Sequence, residues 1–436
     1  MDWSTMLLIM LGLLFFFFAI GIPVAVAFLV VNIIAISLWM GGLANIHLII
    51  LNGVPTIGSF TLIAVPLFIL MGDVLFRSGV IIVLIDALNK WVGKIPGNLS
   101  YTAVASGTFF AALSGSSMSG VAVLGSTLVP EMRRRGYSVE MSNGPVLGAG
   151  ALAMIIPPSI LAVLLASTAK MSIAKLLIAG VIPGLLMATL YCMYIFVRCR
   201  IQPHLVPGTE DLQAFTWGEK FRALLTLTPF GFIIFLVTGL IFLGVATPSE
   251  AAALGAVGSV VLTFFYGKAK ISVFVDSMKE TLKISAMVFF ILLGSQTFSQ
   301  VIAYTGVGRG LTELIVGIQA SPILVVIMMN LIVFVMGCLM DAISILMITV
   351  PIFMPIVIAL QLDPIWWGVM MVINYEIGTL TPPFGLCCFV MKGVDPEASI
   401  TDIFKAGLPF FCGGLLVIVL ILVFPRIALL LPSFVK

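Results

Sequence analysis

Two double prolines, Pro157-Pro158 and Pro382-Pro383, lie 225 residues apart in a chain that is otherwise mostly apolar. A proline lacks an N–H and its ring clashes with the carbonyl four residues back, so a Pro-Pro pair inside an apolar helix frees a set of carbonyl oxygens. The flanking residues are Gly148-Ala-Gly150-Ala-Leu-Ala153-Met-Ile-Ile156-Pro-Pro-Ser159 and Asn374-Tyr-Glu376-Ile-Gly378-Thr379-Leu-Thr381-Pro-Pro-Phe384-Gly385. Freed carbonyls beside a Ser159 or Thr381 hydroxyl suit a hard cation such as Na+, and half-helix N-termini suit an anionic solute. A kink without a ligand is the plain alternative, and its occurrence at matching positions of both halves argues against it.

Two further polar clusters interrupt apolar runs. Ala111-Ala-Leu-Ser114-Gly115-Ser116-Ser117-Met-Ser119-Gly120 crowds hydroxyls and glycines together; glycine lets a chain reverse and approach a solute, and hydroxyls donate or accept. Such residues also pack membrane helices tightly. Gly337-Cys-Leu-Met-Asp341 sets a carboxylate in an apolar run, where an ionisable residue costs about 2.5 kcal/mol or more on insertion scales. Asp341 is therefore a functional candidate, with a helix-capping role as the alternative. Asp73 and Glu376 remain open between structural and functional roles. Thr247-Pro248-Ser249-Glu250 fits a capping box, and Asp363-Pro364 a helix start.

Other chemistries find no support. A rhomboid-type protease needs a GxSG serine with a histidine on a facing span, and neither His47 nor His204 falls within a span. An ATP-driven pump needs GxxxxGK[ST], and Gly93-Lys94 and Gly267-Lys268 are followed by Ile95 and Ala269. An ion gradient is the energy source left. A simple channel would not require two halves with broken helices. Nothing points to an enzyme, and the six cysteines read as small packing residues.

The elements that must position these residues are membrane helices. Of 436 residues, 61% are hydrophobic and 9% charged, and the mean hydropathy is +1.26. Stretches at 7–38, 59–76, 176–197, 224–244, 249–266, 284–303 and 408–431 approach or exceed the roughly 20 apolar residues that span a bilayer. Residues 5–38 read as a retained first span. The net charge of +3 comes from basic residues scattered over loops, which gives no nucleic-acid partner.

The chain repeats itself. Gly21-Ile-Pro23 returns at Ala246-Thr-Pro248, Phe68-Ile-Leu-Met-Gly72 at Phe290-Ile-Leu-Leu-Gly294, and Pro130 at Pro355. This divides it into a first repeat (1–200; hairpin 97–130, broken helix 140–170), a linker with an extra helix (201–245) and a second repeat (246–436; hairpin 322–355, broken helix 364–391). Each hairpin holds 34 residues, too few for two crossings and a turn, and so is read as re-entrant. Irregular backbone at that depth needs protein or water around it. The odd number of crossings inverts the second repeat. Placing Arg133-Arg134-Arg135 inside puts 16 of the 21 basic residues there, leaving Lys170, Lys175, Arg309, Arg426 and Lys436 outside, as the positive-inside rule requires. The expected fold is an all-α polytopic membrane protein of two inverted repeats.

At these motifs the chain resembles the large membrane subunit of tripartite ATP-independent periplasmic (TRAP) transporters. The resemblance runs end to end, through the Phe-Ile-Leu-Met-Gly span, Ser114-Gly-Ser-Ser leading to Val129-Pro-Glu-Met132 and Arg135-Gly-Tyr137, Ile156-Pro-Pro-Ser159, Thr247-Pro-Ser-Glu-Ala251 and Gly378-Thr-Leu-Thr-Pro-Pro-Phe-Gly385. It implies an elevator-type, Na+-coupled importer of an organic anion, a carboxylate such as a C4-dicarboxylate or sialic acid, in a bacterial or archaeal inner membrane. It also implies two partners, a small membrane subunit of four-helix type and a periplasmic solute-binding protein. A stand-alone ion-coupled carboxylate carrier is the alternative. Substrate contacts carried over by the resemblance are Ser114, Ser116, Ser159 and Asp341. Two Na+ sites are implied, one near Ser114, Ser117, Ala153 and Ile156, the other near Gly337, Gly378, Thr381 and Phe384.

Overall fold

A computed structural model describes residues 2–208 and 215–435. Residues 209–214 of the linker, and Lys436 among the basic residues expected outside, are not among those described. Every regular element among the described residues is helical.

The stretch at 5–38, read from sequence as one span, is two helices, α1 (Trp3–Ala19) and α2 (Val24–Trp39). Gly21 adopts φ +81°, and the amides of Gly21 and Ile22 turn back onto the Phe18 and Phe17 carbonyls, both at 3.0 Å. This closes α1 in the manner of a glycine C-cap, and Pro23 cannot donate to extend it. Next come α3 (His47–Ile57), α4 (Ala64–Arg77) and α5 (Val80–Val92). The first hairpin is α6 (Asn98–Ser114) and α7 (Ser117–Arg134), and the first broken helix is α8 (Val139–Leu152) and α9 (Ile160–Thr168); α10 (Ile173–Ala179) and α11 (Val181–Ile201) complete the half. α7 runs past the expected boundary at Pro130, because a proline inside a helix removes one ladder bond without ending it. At its exposed end Glu131 accepts from Arg134 at 2.9 Å and Arg135 at 2.7 Å, and these bonds pull its carboxyl down to about 2.

The second half opens with α12 (Trp217–Ile234), which passes through a π-turn at Phe235–Gly239 into α13 (Leu240–Phe242). α14 (Pro248–Phe265) begins at the expected capping box, where Glu250 accepts from the Thr247 amide and hydroxyl, both at 2.8 Å. α15 (Ile271–Tyr304) has 34 residues, about 51 Å at 1.5 Å per residue. Then follow α16 (Val307–Gly317), the second hairpin of α17 (Pro322–Gly337) and α18 (Ala342–Ala359), the second broken helix of α19 (Pro364–Gly378) and α20 (Leu386–Val394), α21 (Ile400–Val423) and α22 (Arg426–Leu429). Asp363 caps α19 as expected, accepting from the amides of Ile365 and Trp366. The last apolar stretch, read as 408–431, instead spans Ile400–Val423 because Pro425 stops it.

Helix starts recur along the chain. α2 and α14, α6 and α17, α7 and α18, α8 and α19, and α9 and α20 begin 224 to 226 residues apart. α12 with α13 lies between the first set of these elements and the second. The first halves of the two broken helices are enclosed. Every residue from Met141 to Leu152 in α8, and from Trp366 to Gly378 in α19, is buried, whereas α12 turns Phe221, Leu225 and Phe232 outward, an apolar surface suited to lipid. The halves also grip each other reciprocally. α7 lies along α20, with Val394 beside Gly125 and an Arg133–Asp395 ion pair at 3.6 Å, while α18 lies along α9, with Met347 beside Thr168.

Close packing around α8 depends on glycine. A Cβ on Gly107 of α6 would fall 2.3 Å from Ala149 Cβ. Gly107→Ala is expected to cost about 1–3 kcal/mol and to lower the thermal unfolding midpoint of the purified protein. Gly12→Ala, with nothing within 4 Å of its added methyl, is expected to leave it unchanged or slightly raised.

Candidate functional site

The first hairpin tip is wedged between α4 and the first break. A Cβ on Gly115, which sits at φ +60°, would lie 2.8 Å from the Pro158 carbonyl oxygen, and one on Gly72 would lie 2.7 Å from Ser114 Cα. Glycine at both places lets three backbones meet. Pro157-Pro158 and Pro382-Pro383 are both cis peptides. Ser116 caps α7, accepting from the Ser119 amide, and Ser159 caps α9, accepting from the Ala162 amide at 3.1 Å while donating to the Met154 carbonyl. The Pro157 carbonyl accepts from Thr238 of the π-turn at 3.3 Å.

Beside this tip is a cavity of about 320 Å³. Ser114, Ser116 and Ser119 supply hydroxyls to its wall, Asp73 of α4 a carboxylate, and Met154, Ile160, Leu161, Met287, Val288 and Ile343 an apolar lining. Asp73 accepts from Arg77 Nε at 2.6 Å, and Arg77 Nη2 lies 3.9 Å from Glu280 on α15. The chamber thus combines a polar end with an apolar body, the usual make-up of a small-molecule site.

At the second break the backbones of α17 and α19 cross in contact: a Cβ on Gly337 would lie 2.9 Å from Gly378 Cα, and the reverse distance is 2.8 Å. The Phe384 amide donates to the Cys338 carbonyl at 3.2 Å. Thr381 donates to the Gly378 carbonyl at 2.7 Å, and its hydroxyl lies 3.4 Å from Cys338 Sγ. Asp341 caps α18, accepting from the Ser344 amide at 3.1 Å and from its hydroxyl.

Of the residues singled out in the sequence, Ser114 and Ser116 line the cavity. Ser117, Ala153, Ile156 and Ser159 are buried around the first break and off the cavity wall. Gly337, Gly378 and Thr381 come together at the second break, joined by the Phe384 backbone, while the Phe384 ring is exposed. Asp341 is two residues from Ile343 on the cavity wall, with its oxygens engaged in the cap. The sequence reading did not reach Thr238, Asp73 as a wall residue, or the α15 face. The repeated Phe-Ile-Leu-x-Gly did mark Gly72. Its counterpart Gly294 receives Phe28, and its carbonyl accepts from Asn32 at 2.7 Å.

Two helical hairpins, each seated against a broken helix inside an apolar helical body, define a multi-pass membrane transporter. Residues 11–427 match the family described as "Tripartite ATP-independent periplasmic transporter, DctM component". The chain is 34% identical over 376 residues to the C4-dicarboxylate TRAP transporter large permease protein DctM of Pseudomonas aeruginosa, covering 86% of each. It is 32% identical over 430 residues to the ectoine TRAP transporter large permease protein TeaC of Halomonas elongata, covering 98% of each. The chain belongs to this family of TRAP large permeases, and is a multi-pass protein of the bacterial inner membrane. In fold it is similar to the Alcanivorax borkumensis YdaH transporter, with a TM-score of 0.66 at 14% identity over 94% of this chain and 96% of that one. Family membership implies a small membrane subunit and a periplasmic binding protein as partners.

The glycine crossing at the second break yields a test. Gly378→Ala is expected to push α17 from α19 at a cost of about 1–3 kcal/mol, seen as a lower thermal midpoint. Gly393→Ala in α20, whose methyl would meet nothing within 4 Å, is expected to leave the midpoint in place.

Proposed function

We propose that this permease is the Na+-coupled membrane component of a TRAP system that imports an organic anion of the carboxylate class, delivered by a periplasmic binding protein. The observation that carries the reading is the doubled tip-and-break contact, Gly115 against Pro158 in one half and Gly337 against Gly378 in the other. Each brings carbonyls and hydroxyls to places where helices end inside an apolar body, the arrangement that coordinates ions and solutes in secondary transporters. One Na+ belongs near Ser114, Ser117, Ala153 and Ile156, the other near Gly337, Gly378, Thr381 and Phe384. The solute belongs beside them, facing Ser114, Ser116, Ser159 and Asp341. The 320 Å³ cavity supports this placement through Ser114 and Ser116, and Ile343 brings the start of α18 to the same chamber.

The reciprocal grip of α7 on α20 and α18 on α9 supports two oppositely inserted repeats. Arg133, Arg134, Arg135 and Lys392 gather where α7 and α20 end, which supports a cytoplasmic location for that end. Hairpin one then enters from inside and hairpin two from outside. The two hairpins and broken helices form the unit that moves, elevator-like, against the remaining helices. The DctM relative's named solute supports a carboxylate. TeaC, almost as similar, is named for ectoine, a difference that supports selection of the solute by the delivering protein.

The test is uptake into proteoliposomes holding the permease with its small subunit and binding protein, with and without a Na+ gradient. Asp341→Asn keeps a good helix cap and removes the charge; Thr381→Ala removes one hydroxyl. Each is expected to cut Na+-driven uptake about tenfold or more, as for the loss of a hydrogen bond to a charged group, with Asp341→Asn leaving the thermal midpoint near wild type. Wild-type uptake by both variants would remove these residues from the site, and uptake indifferent to Na+ would overturn the coupling.

A further inference from the structure

Away from both breaks, α16 joins α1 to the second hairpin. A Cβ on Gly310 would lie 2.4 Å from the Trp3 ring of α1, and one on Gly308 would lie 3.6 Å from Pro355 Cγ of α18. Below this junction a groove of about 470 Å³ runs between α1 and the hairpin. Leu7, Leu11 and Phe15 form one wall, four residues apart and so on one helix face, and Leu331 and Val335 of α17 face it with Ile352 of α18. The stretch from Leu7 to Phe15 is about 12 Å of helix at 1.5 Å per residue. The one polar side chain in the wall is Thr349, whose hydroxyl donates to the Ile345 carbonyl at 2.8 Å and lies 2.8 Å from the Tyr375 hydroxyl. Its hydrogen bonds are thus made within the protein, and the groove offers an occupant only hydrocarbon.

At the outer end of the groove the chemistry changes. A second cavity, of about 440 Å³, is lined by Gly308, Arg309, Thr312 and Glu313 of α16 and by Pro355 of α18. Gly308 and Pro355 each stand one turn from a groove residue on the same helix, Leu311 and Ile352, so the two cavities lie end to end along the α16–α18 seam. Arg309 and Glu313 are exposed and one turn apart, in the order less favourable to pairing, and none of the ion pairs formed by described residues includes either. The Thr312 hydroxyl donates to the Gly308 carbonyl at 2.8 Å. A cation and an anion side by side at the head of an apolar groove complement a molecule with a long hydrocarbon tail and both charges at one end. A guanidinium takes a phosphate bidentately, and a carboxylate takes an ammonium that has N–H to donate. We propose that this groove binds one phosphatidylethanolamine molecule, an acyl chain lying along Leu7, Leu11 and Phe15, its phosphate at Arg309 and its ammonium at Glu313. Trp3 then sits at headgroup level, where tryptophan is enriched. A tail so placed separates α1 from the hairpin that moves in the reading above; that consequence rests on the reading, and the binding does not.

The full-length protein, purified and delipidated in detergent, is titrated with palmitoyl-oleoyl phosphatidylethanolamine, with the phosphatidylcholine of the same chains, which lacks an N–H donor, and with the phosphatidylglycerol, which lacks a cation. Native mass spectrometry counts the lipids retained, and the thermal midpoint gives the half-saturating concentration. One phosphatidylethanolamine is expected to be retained, with a half-point about tenfold below those of the other two, as for one hydrogen bond to a charged group. Glu313→Gln is expected to erase that preference and leave phosphatidylglycerol unchanged, while Arg309→Gln weakens all three about tenfold. Leu331→Trp, at a position 51% exposed, fills the groove and is expected to prevent retention of any of them. Equal half-points for the three lipids in the wild type, wild-type half-points in both headgroup variants, or retention in Leu331→Trp overturn the site. Loss of the bound lipid when the small membrane subunit is present assigns the groove to that subunit and overturns it as well.

Discussion

Broken backbone inside a membrane persists only where protein atoms, not lipid, meet its N–H and C=O groups. The fold follows from that constraint. α8 and α19 end at the double prolines, and they are buried on all sides because an exposed break would leave carbonyls in hydrocarbon. Each break recruits what satisfies it: Thr238 donates to the Pro157 carbonyl and Ser159 to Met154, Thr381 to Gly378 and Thr379 to Glu376. The π-turn in α12 fits this picture, since π-bulges occur frequently at functional sites, and this one carries Thr238 to the first break.

Glycine makes the enclosure possible, in a different way on each side. At the first break a single residue, Gly115, enters the break in a left-handed conformation while Gly72 admits Ser114 from behind. At the second, two extended faces cross with no side chain between them at Gly337 and Gly378. The first arrangement opens onto the chamber of about 320 Å³; at the second the helix backbones touch, and a cavity of about 390 Å³ lies beside the contact, lined by Leu380, Thr381 and Pro382 with Thr401, Phe404 and Lys405 of α21. Two units that repeat in order are therefore not equivalent in shape.

Much of this was legible in the residues. Paired prolines, tips rich in small polar residues and the 225-residue offset located both hairpins and both broken helices, because helix-breaking chemistry is local. The Thr247 and Asp363 starts were equally local. Gly21-Ile22-Pro23 stands in the sequence as a repeat marker, but its role as a helix end is hidden because apolar composition alone does not separate one crossing from two helices. Asp73, Thr238 and the α15 face became site residues through tertiary contact, for which nearest-neighbour sequence holds no sign. Glu376 is visible in the sequence as an ionisable residue, but its burial, without a hydrogen-bond partner for either oxygen among the described residues, depends on tertiary packing.

The polar residues at the tips and breaks do double duty, and their helix positions separate the two tasks. Ser116, Ser159 and Asp341 each occupy an N-cap, so their oxygens already satisfy backbone amides at the starts of α7, α9 and α18. The starts of these helices carry partial positive charge, which favours an anionic solute whether or not the cap side chain itself reaches it. α6, α8, α17 and α19 point their C-terminal ends at the same two places, and those ends offer unsatisfied carbonyls and partial negative charge. Each tip-and-break unit thus gathers two helix starts and two helix ends at one spot. A cation at the ends and an anion at the starts would neutralise each other's fields, so that binding of either would favour the other, which is the electrostatic argument for the coupling proposed above.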